Sequence, residues 1–273
     1  FISKYIMAKK ETSLADVLQK YSAEKDVDFI STSVVALDDL FGGGISPGSM
    51  YGIWGVQGSG KSTLTFQIMK SFLKKGYKVC FVDVENAFNT NQQEAFGLRE
   101  YVQNGALLHL SADNYQEIDE ITTAIAKSGE YKLFVCDSES MLMSKTVEDI
   151  SVVDNQPGQK ARQSAAWLTK IKSQFKEASI ASIILFHARA NISMTVNAYS
   201  PTEKQAGGFA AKHVPDVILK VTPGQKVKDG EEILGQVVHL MCEKNKFTAP
   251  FKTIDRKIIF GKGISKRQEV IDE

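Results

Sequence analysis

A chain of 273 residues with 43% hydrophobic and 24% charged side chains can bury the core of one large domain, which excludes a disordered protein. A formal net charge of +1 excludes a global electrostatic pull towards nucleic acid or membrane, so any polyanion site must be local. The three cysteines, Cys80, Cys136 and Cys242, lie in apolar runs without paired metal spacing, which predicts buried reduced thiols in a cytoplasmic protein rather than a disulfide framework.

In chain order, residues 1–7 are partly apolar but too short for a signal peptide or a membrane span. Leu14, Val17, Leu18 and Tyr21 recur at helical spacing and predict an amphipathic helix over residues 13–21. The charged run at 24–26 reads as a linker, so residues 1–29 form an N-terminal element suited to oligomerisation and 30–273 form the core. From Ile30 onward strands and helices alternate, the pattern of a mostly parallel sheet covered on both faces. Helices are predicted over 32–41, 64–72, 115–126 and 159–175, and strands over 49–54, 78–83, 106–110, 133–138 and 179–186. The last third changes character: strands at 217–221, 236–244 and 257–260, joined by turns containing glycine, predict an antiparallel extension.

The chemistry is concentrated between the strand at 49–54 and the helix at 64–72. There Gly55, Val56, Gln57, Gly58, Ser59, Gly60, Lys61, Ser62 and Thr63 have the spacing of a phosphate-binding loop. Glycines at 55, 58 and 60 let backbone N–H groups approach a polyphosphate without a Cβ in the way. Lys61 reaches the β and γ phosphates as a flexible point charge, and the Ser62 hydroxyl is placed to ligate Mg. Asp137, at the carboxyl end of an apolar strand, is the candidate to hold that ion through water beside Ser62. Glu85, just past the strand at 78–83, is the candidate to orient an attacking water, while Asp83 can brace the same loop through backbone N–H groups.

Two long patternless stretches, 144–157 and 190–205, follow adjacent strands at the ends where open parallel sheets place ligands. With Arg162, Arg189, Lys204 and Lys212 near them in sequence, they could track a phosphate backbone. His187, at a strand end, and the pair Lys244 and Lys246 read on their own as structural and solvated residues.

Together these segments resemble the RecA family of DNA strand-exchange recombinases, over about residues 30–264. The likeness rests on several motifs besides the phosphate loop: Ser31-Thr32 with Ala36-Leu37-Asp38, Phe81-Val82-Asp83-Val84-Glu85-Asn86-Ala87, and Val135-Cys136-Asp137-Ser138. Most diagnostic is Lys244-Asn245-Lys246 followed by Ala249-Pro250-Phe251-Lys252 and Ile259-Phe260-Gly261-Lys262-Gly263-Ile264. The resemblance implies an α/β fold, a RecA-like P-loop ATPase core with helices flanking a mostly parallel sheet and an antiparallel strand extension. It implies ATP with Mg, Glu85 as the residue that activates water, and Lys244 and Lys246 reaching a neighbouring subunit's γ phosphate. Residues 144–158 then match the first DNA-binding loop and 189–208, closing on Gly207 and Gly208, the second; Arg162 matches a DNA-contacting arginine. His187 stands where bacterial relatives have a glutamine that senses the γ phosphate; a histidine there is similar to phage UvsX-type recombinases, and the resemblance implies a switch.

The implied activity is polymerisation on single-stranded DNA into a helical filament, with homologous pairing and strand exchange into duplex DNA. Single-strand-binding or loader proteins are conceivable partners, and a membrane is not. A hexameric helicase motor or a non-catalytic recombinase paralogue would share much of this pattern. The chain departs from the family at Gln92, where a tyrosine stacks on adenine, at His213, which replaces an interface phenylalanine, and at Thr169, which replaces an arginine near DNA.

Overall fold

The computed structural model describes residues 28–143, 157–190 and 203–264. The helix read over residues 13–21, and residues 144–156 and 191–202 of the two long loops, lie outside the described residues. Among the described residues, no helix is long and apolar enough to cross a membrane.

The uninterrupted apolar runs become strands buried on both faces, as parallel strands covered by helices must be. These are β1 (Met50–Gly55), β2 (Lys78–Asp83), β3 (Leu107–Leu110), β4 (Tyr131–Asp137) and β5 (Ala181–Ala190). With β6 (Glu203–Gln205), β7 (Val217–Asp229), β8 (Glu232–Asn245), β9 (Thr253–Ile259) and β10 (Gly263–Ile264) they form one sheet, ordered β10-β9-β8-β7-β1-β5-β4-β2-β3 with β6 on β5. From β3 to β7 the strands run parallel, and β8, β9 and β10 continue antiparallel. The expected fold class is therefore the observed one.

Alternation along the strands splits the core into two layers. Val79, Phe81, Leu133, Val135, Ile183 and Leu185 face α2 (Lys61–Lys74), which contributes Leu64, Ile68 and Phe72. Cys80, Val82, Phe134, Cys136, Ile184 and Phe186 face the opposite layer, with Ile118 of α5 (Tyr115–Ser128) and Trp167, Ile171 and Phe175 of α6 (Pro157–Ala178). All three cysteines are buried and free.

Helix α1 (Val35–Phe41) starts later than the predicted 32. The Asp38 carboxylate accepts bonds from Ser31 Oγ (2.5 Å), Thr32 N (2.8 Å) and Thr32 Oγ1 (2.6 Å), holding the preceding residues in a turn with Ser33 at φ 64°. Gly42, at φ 90°, ends the helix in the left-handed conformation. Three short helices, α3 (Thr90–Ala95), α4 (Arg99–Gln103) and α7 (Gly208–His213), were not anticipated, because six residues or fewer hold too few turns to show a period. Strands β7 and β8 also run further than predicted, as an antiparallel ribbon, because most of the added residues, 222–229 and 232–235, are exposed or half-buried and lack an apolar signal.

Candidate nucleotide site and nucleic-acid surface

The phosphate loop joins β1 to α2 at the carboxyl end of the parallel strands. Gly55 cannot be replaced, since a Cβ there would lie 2.1 Å from the Val221 carbonyl oxygen. Gly60 takes φ 100° as it opens α2, and a Cβ on it would meet Ile258 at 2.7 Å. Lys61 Nζ donates to the carbonyls of Gly55 (3.1 Å) and Val56 (2.9 Å), and burial lowers its pKa against the pull of Asp137 and Glu85. Ser62 Oγ donates to Asp137 Oδ2 at 2.6 Å. Asp137 is only 7% exposed, and burial pushes its carboxyl up to about 6 despite the Ser62 bond.

These residues fit a Mg-bound polyphosphate. A hydroxyl and an acid meet at the head of α2, the Ser59 hydroxyl is buried without a partner, and the loop glycines leave the backbone bare. Among the described residues no cluster of acids, histidines and cysteines forms a metal cage by itself. The cavity over the loop measures about 240 Å³ and is lined by Gln57, Gly58, Gly60, Lys61, Ser62 and Thr63 together with Glu85, Asp137 and His187.

Glu85, just past β2, and His187, on β5, lie on either side of β4 in the sheet order and meet here, Nε2 to Oε1, at 2.8 Å. The histidine bond, more than any other influence, holds the Glu85 carboxyl below the usual carboxylate range. Asp83 braces the loop that carries Glu85, accepting from Phe88 N at 2.8 Å, as the sequence suggested. Sequence reasoning missed His109, whose Nε2 lies 3.5 Å from Asp83 Oδ2 and whose ring stacks on Phe81. It also missed Gln236, which donates to the Gly58 carbonyl at 2.7 Å from the ribbon. Neither is adjacent in sequence to what it supports.

The lysine pair is elsewhere. Gln236 and Lys244 share β8 and, at about 3.4 Å per residue, are roughly 27 Å apart; Lys244 pairs with Ile218, which pairs with Gly52, so it lies towards the amino end of the parallel strands and away from the loop tip that Gln236 touches. Lys246 Nζ and Lys172 Nζ contact Asp216 Oδ1 at 2.8 and 2.7 Å, and Lys244 Nζ donates to the His213 carbonyl at 2.7 Å. Burial lowers the Lys172 and Lys244 pKa values, whereas the more exposed Lys246 is raised by its bond to Asp216.

Of the nucleic-acid candidates, Arg162 is exposed near the start of α6, and Arg189 is exposed on β5 opposite Lys204 of β6. Gly207 and Gly208 open α7, with Gly208 beside Ala161 of α6. Lys212 belongs to a different group: it lies at the far end of α7, where its carbonyl accepts from Lys244 at 3.5 Å.

A phosphate loop between a parallel strand and its helix, an acid on a nearby strand end and a carboxylate over the cavity define a P-loop nucleotide-binding protein of the α/β class. The family model described as the RecA N-terminal domain matches residues 8–265. The chain belongs to the RecA family. It is 32% identical over 250 residues to Protein RecA of Bordetella avium (strain 197N), covering 91% of this chain and 69% of that protein. Protein RecA of Delftia acidovorans (strain DSM 14801 / SPH-1) is 30% identical over 251 residues, with 92% and 66% covered. Among solved structures, one titled as the RadB recombinase superposes with a TM-score of 0.61 at 20% identity, covering 86% of this chain and 98% of that one, which speaks to the fold.

Proposed function

We propose that this protein is an ATP-dependent recombinase that polymerises on single-stranded DNA and promotes homologous pairing and strand exchange, with each ATP held between two subunits. The observation that carries this reading is the distance between Lys244 and Lys246 and their own phosphate loop. Cations held there, with their ammonium groups turned to Asp216 and the His213 carbonyl, are placed to serve a phosphate on another copy through a head-to-tail contact.

In this mechanism Lys61 leaves its carbonyl partners to hold the β and γ phosphates. Ser62 and Asp137 would hold Mg, which would supply charge neutralisation at the phosphate oxygens. Glu85 orients the attacking water, and His187 sets the position of that carboxylate. Lys244 and Lys246 of the adjoining copy stabilise charge developing on the γ phosphate. Arg162 and Arg189, with Gly207 and Gly208 allowing close backbone approach, contact DNA phosphates and make binding salt-sensitive and independent of sequence.

Electron microscopy with single-stranded DNA and a slowly hydrolysed ATP analogue tests the proposal. An open helical filament is the expected result. A closed ring would favour a helicase motor, and the absence of any polymer would favour a regulatory paralogue; either overturns the reading.

A further inference from the structure

The contacts around His187 continue beyond the nucleotide cavity. Its ring meets Glu85, while its backbone N–H donates to Ser140 Oγ at 3.0 Å. The Ser140 carbonyl in turn accepts from Lys160 Nζ at 2.7 Å. Ser140 sits in the single 3₁₀ turn Glu139–Met141 that follows β4, and Tyr115 fixes that turn from the other side by donating to Glu139 Oε1 at 2.5 Å. Lys160 is on α6, close in sequence to the exposed Arg162. It also feels Arg189: burial lowers the lysine's pKa first, Glu139 opposes this, and Arg189 adds to it.

We propose that Ser140 and Lys160 are positioning residues, coupling occupancy of the nucleic-acid surface to the placement of Glu85 through the backbone and ring of His187. The physical route is short. Lys160 is part-buried, so its ammonium relies on the Ser140 carbonyl and is sensitive to a nearby cation. A nucleic-acid phosphate that engages Arg189 screens that cation and strengthens the hold of Lys160 on the 3₁₀ turn. Because the turn also binds the His187 backbone, the histidine ring and its carboxylate partner move with it. Neither Ser140 nor Lys160 touches the nucleotide cavity, so their effect is on coupling and not on binding itself.

This inference rests on the DNA-dependent reading above, and linkage provides a test that does not need turnover. If nucleotide and DNA bias the same turn, each must raise the other's affinity by one shared factor, typically about 5–150-fold. Affinity for a fluorescent single-stranded oligonucleotide would be measured with and without a slowly hydrolysed ATP analogue, and analogue affinity with and without DNA. The parent would be compared with Lys160→Met and Ser140→Ala. Both variants should bind each ligand alone within about twofold of the parent, while the shared factor falls at least about fivefold in both directions. An unchanged factor in the soluble, folded Ser140→Ala variant refutes the relay, whatever becomes of Lys160→Met. If Lys160→Met weakens DNA binding without nucleotide and flattens its log–log salt slope by about 0.7, Lys160 is a direct phosphate contact and the relay is again refuted. A parent with no mutual enhancement refutes the DNA-dependent reading itself, and the relay with it.

Discussion

Gln236 Nε2 donates to the Gly58 carbonyl oxygen at 2.7 Å, fastening the antiparallel ribbon to the tip of the phosphate loop. The amide is 2% exposed, and its own oxygen accepts from Lys226 Nζ at 2.9 Å, which fixes which way it points. Gln236→Leu keeps much of the volume but removes the donor. One buried hydrogen bond contributes about 1 kcal/mol to stability, so nucleotide affinity should fall by up to about fivefold and the unfolding midpoint by about 2–4 °C. Calorimetric titration with an ATP analogue reads the first and thermal melting the second. Unchanged affinity would mean that the loop holds its shape unaided.

Glu85→Gln retains a group able to hydrogen-bond His187 Nε2 but cannot take a proton or carry charge. Nucleotide binding should persist, because Lys61, Ser62 and Asp137 are untouched. Phosphate release in the presence of single-stranded DNA should drop by about 10²–10⁴, the range ascribed to a positioned base. Steady-state release measured beside analogue binding separates the two effects. Undiminished turnover would take Glu85 out of the mechanism.

Much of this site could be read from local sequence, and the reason is geometric. The phosphate loop is one continuous turn, and Asp137 and Glu85 each end or follow an apolar strand, so spacing alone located them. The pairing of Glu85 with His187 could not be read, because β2 and β5 are held apart by β4 in the sheet order and it is these two side chains that bridge it. Gln236 reaches Gly58 across 178 positions, and nothing in a ribbon of mixed polarity marks the residue that will touch the loop. Likewise, Lys172 and Lys246 gave no hint of meeting on Asp216, since each alone is a lysine on an amphipathic element. The phosphate cradle was legible because its chemistry is contiguous. Its supports were not, because the sheet creates them.

Asp216 contributes a pH-dependent part of the stability. Burial by itself would raise its carboxyl pKa, but bonds from Lys172, Lys246 and the Met50 N–H outweigh burial and hold it below the usual carboxylate range. A folded-state pKa below the unfolded value of about 3.9 stabilises the fold fully above that pH, and the contribution fades as pH falls through the lower, folded value. Asp216→Asn should therefore cost about 2–4 kcal/mol at pH 7, as it leaves half-buried ammonium groups without their counter-ion. The gap between parent and variant should begin to narrow below about pH 4, where the unfolded chain's carboxylate takes up a proton, and shrink further as pH falls through the lower, folded value. Urea unfolding at the two pH values checks the sign. A gap that widens in acid would mean that Asp216 acts through packing and not through charge.

The lysine pair offers the sharpest test of a site shared between copies. Lys246→Ala leaves the phosphate loop intact but removes a cation held away from it, and Glu85→Gln does the converse. Each variant alone should turn over ATP poorly. In an equimolar mixture that assembles at random and head to tail, a junction works when the Lys246→Ala copy supplies the cradle and the Glu85→Gln copy supplies the lysines. That arrangement occurs at one half times one half of the junctions, so the mixture should recover about a quarter of the parent rate. A site completed within one chain would show no recovery at any ratio. Scanning the ratio should also give a maximum at equal amounts, a shape that contamination by active protein could not produce.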